Sequence, residues 1–398
     1  MRSLRSLSPD LRRLLFATLF FGAAGGIFMA TINNYLAEVH ELGAEERGWL
    51  ELPREFPGFL LFIISGVLLM RMRESRMAVV ALALSAIGAV GLGFLATGPA
   101  ILVVWVVIWS LGDHIMFAVE GPVGLKLAKD GREGKRLGQL GGARNLGTIA
   151  GVGSVFLLAL VIGDRYEVFY VVAAGFALLA AGFYFRLDVG RGDPPSRKFV
   201  VRREYRIFYA ISALFGIRKQ IFLVFGSWVL VSLHGVEVST IALLYFAASA
   251  LGIVLRPLMG EVIDWLGERV ILALDEVLLL LICLTYAFAS HILSAPWDLW
   301  VLCGAYILDH LLFALRVART TYLKKIAVDP ADITPSISLG ITIDHAVAMT
   351  LPILSGYIWE AFGYEWVFLL AAAIALAGLV ICLRIRVPAN GTAARPAV

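Results

Sequence analysis

An all-α polytopic membrane protein, with twelve transmembrane helices in two pseudo-symmetric six-helix bundles, is the fold class this sequence predicts. Three observations carry the prediction. Hydrophobic residues make up 60% of the 398 positions and charged ones only 16%, with a mean hydropathy of +0.85. A water-soluble domain carries more charge and fewer long apolar runs. Basic residues outside the apolar runs concentrate in alternate connections, and one motif occurs twice, half a chain apart.

A bilayer crossing takes roughly 20 mainly apolar residues. Twelve segments meet that length, at about 14–38, 47–70, 77–97, 100–128, 137–162, 167–187, 205–233, 239–264, 270–291, 297–326, 334–360 and 364–384. Arg12 and Arg13 precede the first of them. That run is too long for a signal-peptide core and lacks a small-residue cleavage site, so the first segment is expected to stay as a helix.

One set of connections holds Arg12, Arg13, Arg71, Arg73, Arg76, Lys126, Lys129, Arg132, Lys135 and Arg136. The set continues with Arg202, Arg203, Arg269, Lys324, Lys325, Arg384 and Arg386. The alternate set holds little beyond Arg47 and Arg165 and carries Glu41, Glu45, Glu46, Asp164 and Glu365. The positive-inside rule puts the basic set and both termini in the cytoplasm of a multi-pass protein in the cell membrane. The net charge of +4 therefore reports topology and not nucleic-acid binding.

The duplication is read from Trp109–Ala128 and Ala305–Ala327. Asp113-His114 aligns with Asp309-His310, Phe117-Ala118 with Phe313-Ala314, and Glu120 with Arg316, all at an offset of 196 residues. The polar stretch Leu187–Glu204, with Pro194-Pro195, stands between the halves and reads as a linker. The expected division is residues 1–187, a cytoplasmic linker 188–204, and residues 205–398. Both halves start on the same side of the membrane, so they are parallel repeats.

Twelve spans, a central basic loop and two related halves resemble the major facilitator superfamily over essentially the whole chain. A loop motif supports the resemblance. Gly260, Asp264, Gly267 and Arg269, between spans eight and nine, are similar to the family pattern G-x-x-x-D-x-x-G-x-R. The corresponding stretch after span two starts at Gly66 but has Met70 where the acid belongs, so that copy is degenerate. Span five has Gly141, Gly142, Gly147, Gly151 and Gly153 but lacks the Gly-Pro motif of many drug–proton antiporters of the superfamily. Those glycines fit close helix packing.

The resemblance implies alternating access around a central site lined by spans one, four, seven and ten, with spans two, five, eight and eleven beside them. A charge at mid-bilayer costs about 2.5–3.5 kcal/mol even on the lenient insertion scale, so each needs a partner or a water-filled cavity. The costly residues fall on those helices. Glu120 lies about eight residues from the end of span four and Arg144 about seven residues into span five, which places them at one depth on antiparallel helices. A Glu120–Arg144 ion pair is expected. By the same count Arg316 is expected to pair with Asp344, with the signs swapped. Such pairs serve either as helix latches or as a cytoplasmic gate.

Asp113-His114, Asp309-His310 and Asp344-His345 join a carboxylate to an imidazole that titrates near neutrality. They are candidates for proton coupling, against a reading as polar packing. Arg218 and Lys219, in the middle of span seven, are candidates for an anionic substrate group or for pairing with the acids. Arg54 and Glu55, between Pro53 and Pro57, and Asn33, Asn34 and Tyr35 near the outer end of span one, are further substrate-site candidates. An interfacial anchor is the other reading of the last three.

The expected function is secondary active transport of a small anionic or zwitterionic organic solute, coupled to protons. Multidrug efflux by proton antiport and divalent-metal transport with Asp and His ligands are the alternatives. An intramembrane enzyme is disfavoured because no H-x-x-x-H or G-x-S-x-G pattern is present. Cys283, Cys303 and Cys382 are isolated within spans and predict no disulfide or zinc site. No cofactor and no nucleic acid is expected, and the partners are substrate, protons and the lipid bilayer around a monomer.

Overall fold

The computed structural model describes residues 7–61, 68, 71–128, 133–189 and 201–386. The first half contains α1 (Pro9–Glu38), α2 (Ala44–Phe59), α3 (Glu74–Phe94), α4 (Pro99–Lys126), α5 (Glu133–Ile162) and α6 (Tyr166–Phe185). The second contains α7 (Arg206–Ile221), α8 (Val238–Leu266), α9 (Glu268–Ile292), α10 (Trp297–Leu312), α11 (Val317–Ile326), α12 (Ile333–Phe362) and α13 (Tyr364–Leu383). Two π-helical segments, Phe222–Gly226 and Val229–Leu233, extend α7. A 3-10 turn at Phe313–Arg316 joins α10 to α11 within one span. Among the described residues, eleven helices are long and apolar enough to cross a membrane. The second expected span is represented by α2, 16 residues long; much of its expected remainder lies outside the described residues, as does most of the linker.

Local chemistry explains the ends. Ser8 caps α1 by accepting from the Leu11 amide, with Pro9 in the first helical position, where its missing N–H costs nothing. Gly267 turns the chain from α8 into α9 at φ 80°, ψ 157°, a conformation open in practice only to glycine. It is the second glycine of the loop motif. Gly260 and Asp264 lie in the final turns of α8, and Arg269 lies in the first turn of α9, with Asp264 and Arg269 both exposed.

The chain forms two compact units. Unit one comprises Met1–Leu42, Pro53–Pro195 and Val236–Ala250; unit two comprises Gly43–Leu52, Ser196–Gly235 and Leu251–Val398. They therefore differ from the sequence halves by two short segments, one at the start of α2 and one at the start of α8. Specific contacts place these segments. In unit one, the Asn34 amide donates to the Val236 carbonyl at 2.8 Å and Asn145 donates to the Ser249 carbonyl at 3.2 Å. In unit two, the Ala44 amide donates to Glu360 at 3.1 Å, and Trp49 donates to the Tyr357 hydroxyl at 3.1 Å.

The core of unit one is built by Leu14, Phe21, Met77, Met116, Val119 and Tyr184, from α1, α3, α4 and α6. Unit two centres on an aromatic triangle. Tyr286 stacks on Phe368 at 4.6 Å, and Phe222 meets both, at 5.5 and 5.7 Å. Large apolar residues such as Leu157, Leu160, Val161 and Val254 are exposed, as helices facing lipid require. Cys283, Cys303 and Cys382 are free and buried.

The close packing expected of α5 is met at two of its glycines. A Cβ on Gly147 would collide with the Leu19 carbonyl, and one on Gly151 with the Ala23 carbonyl, whereas a Cβ on Gly142 would meet nothing within 4 Å. Gly151→Leu is expected to cost at least about 1–3 kcal/mol by overpacking the α1–α5 contact, and Gly142→Leu to be tolerated. Thermal unfolding of the two purified variants checks this.

Between α5 and α6, burial and the nearby Glu38 and Glu237 carboxylates hold the Asp164 carboxyl above the usual carboxylate value of 3.8. A raised carboxyl supports the fold while protonated, so its contribution is complete below that usual value and is lost as pH rises through the raised one. Asp164→Asn is expected to raise the melting temperature at neutral pH and to leave it unchanged in strong acid. Melting curves at the two pH values decide it.

Candidate functional site

In unit one the polar residues gather around α4. The His114 ring lies 2.8 Å from the Ser110 carbonyl through Nδ1, which assigns the Nδ1 proton as the donor. Its Nε2 then faces Glu55, 3.8 Å from Oε2. Glu55 also receives Arg54 Nη2 on Oε1 at 2.6 Å. Both Glu55 and His114 are buried, at 4% exposure each. The Ser110 hydroxyl donates to the Arg54 carbonyl, which ties α4 to the proline-flanked turn of α2. Glu55 and His114 thus bring a carboxylate and an imidazole close together between α2 and α4. Asp113, on the next face of α4, is partly exposed, and its nearest charges are His114, Arg144, Arg54 and Glu55.

About two turns further along α4 from Asp113, Glu120 forms an ion pair with Arg144 of α5. The Arg144 guanidinium lies over the Phe21 ring at 4.4 Å and the Phe117 ring at 5.4 Å, which adds cation–π attraction. Nearer the other end of unit one, Asn34 donates to Glu38 as well as to Val236, and the Tyr35 hydroxyl donates to the Leu92 carbonyl at 2.6 Å. Asn33, Asn34 and Tyr35 are all buried, with 4% of Tyr35 and none of Asn34 exposed.

In unit two, three consecutive residues of α7 hold acids from different helices. Arg218 donates through Nη1 to both Asp275 oxygens of α9, at 2.6 and 2.8 Å. It also reaches Asp309 Oδ1 of α10, from Nη2 at 3.3 Å and Nε at 3.4 Å. Lys219 pairs with Asp344 of α12 at 2.8 Å. Gln220 donates to Glu51 at the start of α2, whose other oxygen takes Arg47 at 2.5 Å. Successive helical residues point about 100° apart, so one turn of α7 addresses three directions. Gly216 makes the approach to α12 close, since a Cβ there would stand 2.9 Å from the Asp344 carbonyl. His310 holds the Tyr306 carbonyl with Nδ1 at 2.9 Å, His345 is buried, and Arg319 stacks over Phe215 at 4.6 Å. The Arg316 side chain, the expected partner of Asp344, lies outside the described residues.

Sequence reasoning passed over Asp275, Glu51, Arg47 and Gln220. Asp275 and Glu276 were visible as paired acids a few residues into span nine, where depth counting treats them as near the membrane surface. Gln220 carries no charge to flag it.

The fold matches solved transporters along nearly its whole length. A transporter of the POT family, in complex with a thioalcohol-conjugated peptide, is 12% identical with a TM-score of 0.78, covering 96% of this chain and 98% of its own. The nucleoside transporter NupG is 13% identical with a TM-score of 0.74, covering 95% and 99%. A D-xylose–proton symporter is 14% identical with a TM-score of 0.72, covering 95% and 97%. No match was found among curated proteins.

Glu120→Gln would leave Arg144 without its counter-ion. The expected cost lies below the about 3–5 kcal/mol of a fully buried pair, because 31% of the Arg144 side chain is exposed. The swapped double variant Glu120→Arg/Arg144→Glu is expected to recover most of that loss in thermal stability. Recovered stability without recovered transport would show that the pair does more than latch two helices.

The family model for the Major Facilitator Superfamily matches residues 14–318. The chain belongs to that superfamily and is a multi-pass membrane transporter of the secondary type, not an enzyme.

Proposed function

We propose that this transporter carries a small organic solute with an anionic or zwitterionic group, coupled to protons, by alternating access between residues 1–187 and 205–398. In this reading residues 188–204 are the cytoplasmic linker, both termini are cytoplasmic, and the protein works as a monomer in the cell membrane. The observation that carries the proposal is the α7 turn. Among the described residues, Arg218 is bound by two carboxylates and is 4% exposed, whereas Lys219 is bound by one, Asp344, and is 17% exposed. A substrate anion has the chemistry to take the place of Asp344 on Lys219. The D-xylose–proton symporter among the similar structures supports proton coupling by analogy.

Proton coupling fits the acid–imidazole pairs Asp113-His114, Asp309-His310 and Asp344-His345. Each sets a carboxylate next to an imidazole, a side chain able to take up and release a proton. A proton taken up from one side and released to the other ties solute movement to the proton gradient.

A thermal-shift screen of purified protein against organic anions, zwitterions, lipophilic cations and divalent metals, at two pH values, tests the substrate class. Stabilisation by an anion or zwitterion is expected and is lost in Lys219→Gln. Asp344→Asn, which removes the competing carboxylate, is expected to tighten that binding about tenfold, near 1.4 kcal/mol. Stabilisation by metals alone or by lipophilic cations alone overturns the substrate class. In vesicles loaded with the stabilising solute, a pH gradient is expected to drive its movement and a protonophore to abolish it.

A further inference from the structure

The charges around Arg218 do not balance. One guanidinium stands between two carboxyl groups, with side-chain exposures of 4% for Arg218, 12% for Asp275 and 1% for Asp309. The two acids are held unequally. Asp275 takes a short bidentate pair of bonds, the geometry of an ionised carboxylate with arginine. Among the described residues, Asp309 receives only long bonds on its carboxyl, all on Oδ1, and its Oδ2 is buried without a hydrogen-bond partner. A second ionised carboxylate would leave a net negative charge at membrane depth with one oxygen unsolvated, which is the costliest arrangement available. A neutral carboxyl at Asp309 removes that charge.

We propose that Asp309 holds a proton on Oδ2 in this state, and that the Asp275–Arg218 ion pair is the counter-charge arrangement that keeps it there. This rests on the proton-coupled reading above and deepens it: it selects Asp309 from the three acid–imidazole pairs and adds α9, through Asp275, to the working parts. The groups facing Asp309 are Arg218 from α7, Asp275, Cys283 and Tyr286 from α9, and His310 beside it on α10; Glu276 of α9 faces Asp275 and Arg218. Arg218 is the cation among them whose position depends on both acids. On release, the O–H bond of Asp309 breaks and the proton passes to water on the accessible side. Arg218 then turns from the bidentate grip on Asp275 to share its donors with the new carboxylate. The 3-10 turn at Phe313–Arg316 begins four residues after Asp309, just over one helical turn, so a change in this grip acts next to a break in the helix.

Difference infrared spectroscopy of the purified full-length protein, without substrate, reads the proton directly. At neutral pH the wild type is expected to show the C=O stretch of a protonated carboxyl, shifting on H/D exchange and disappearing on titration to alkaline pH. Asp309→Asn is expected to abolish it. Asp275→Asn is expected to abolish it too, although Asp309 is intact, because Arg218 then has one carboxylate to neutralise. Asp344→Asn is expected to keep the band. Folded wild type without the band overturns the proposal, and this arm needs no variant. A band that survives in Asp309→Asn, or in Asp275→Asn, overturns it as well. Failure of a pH gradient to drive uptake, with the band behaving as expected, would remove proton coupling and leave the protonated Asp309 standing.

Discussion

Desolvation of charge inside apolar helices is the constraint that organises this protein. A cation at membrane depth must be met by an acid, and the acids sit on other helices, so each buried charge becomes a cross-link of fixed position and register. The turn of α7 at Arg218, Lys219 and Gln220 concentrates three such links. Because its residues fan out by about 100° each, α7 contacts α9 and α10, α12 and the start of α2 from one turn. Rotating or sliding α7 would disturb all three at once, which makes this turn a sensitive point for any ligand or proton that changes one of them.

Unit one handles the same constraint differently. Its charges are distributed along α4, with Glu55 and His114 at one level and Glu120–Arg144 at another. Aromatic rings of Phe21 and Phe117 share the solvation of Arg144. The two copies of the Asp-His motif have therefore diverged in use. His114 faces an acid of α2, while Asp309 faces an arginine of α7. A duplicated sequence keeps its helices in register, but the neighbours of each copy decide which member of the pair is engaged.

Much of the site was legible because charge in an apolar run is conspicuous. Asp113, Asp309, Arg218 and Asp344 all stood out for that reason, and helical rise alone was enough to set Glu120 and Arg144 at one depth. The structure joins those two in an ion pair. What was hidden has a physical cause in each case. Asp275 lies close enough to a helix end to pass as a surface acid. Arg47, at the edge of the expected second span, reads as a connection charge, while Glu51 lies one turn inside that span. Gln220 is neutral, and its hydrogen bond to Glu51 exists only because α2 and α7 meet.

By itself the sequence determined the helical membrane class, the alternation of basic and acidic connections and the repeat of the Asp-His motif. These are one-dimensional properties: hydropathy over a window, charge per connection, and an offset between like segments. Beyond Glu120–Arg144, tertiary structure decided who pairs with whom. Lys219 goes to Asp344, Arg218 is shared between Asp275 and Asp309, and the start of α2 is held in unit two. Pairing depends on the rotation of each helix about its axis and on how closely glycines such as Gly147, Gly151 and Gly216 let backbones approach. Depth counts along a chain carry neither of those quantities.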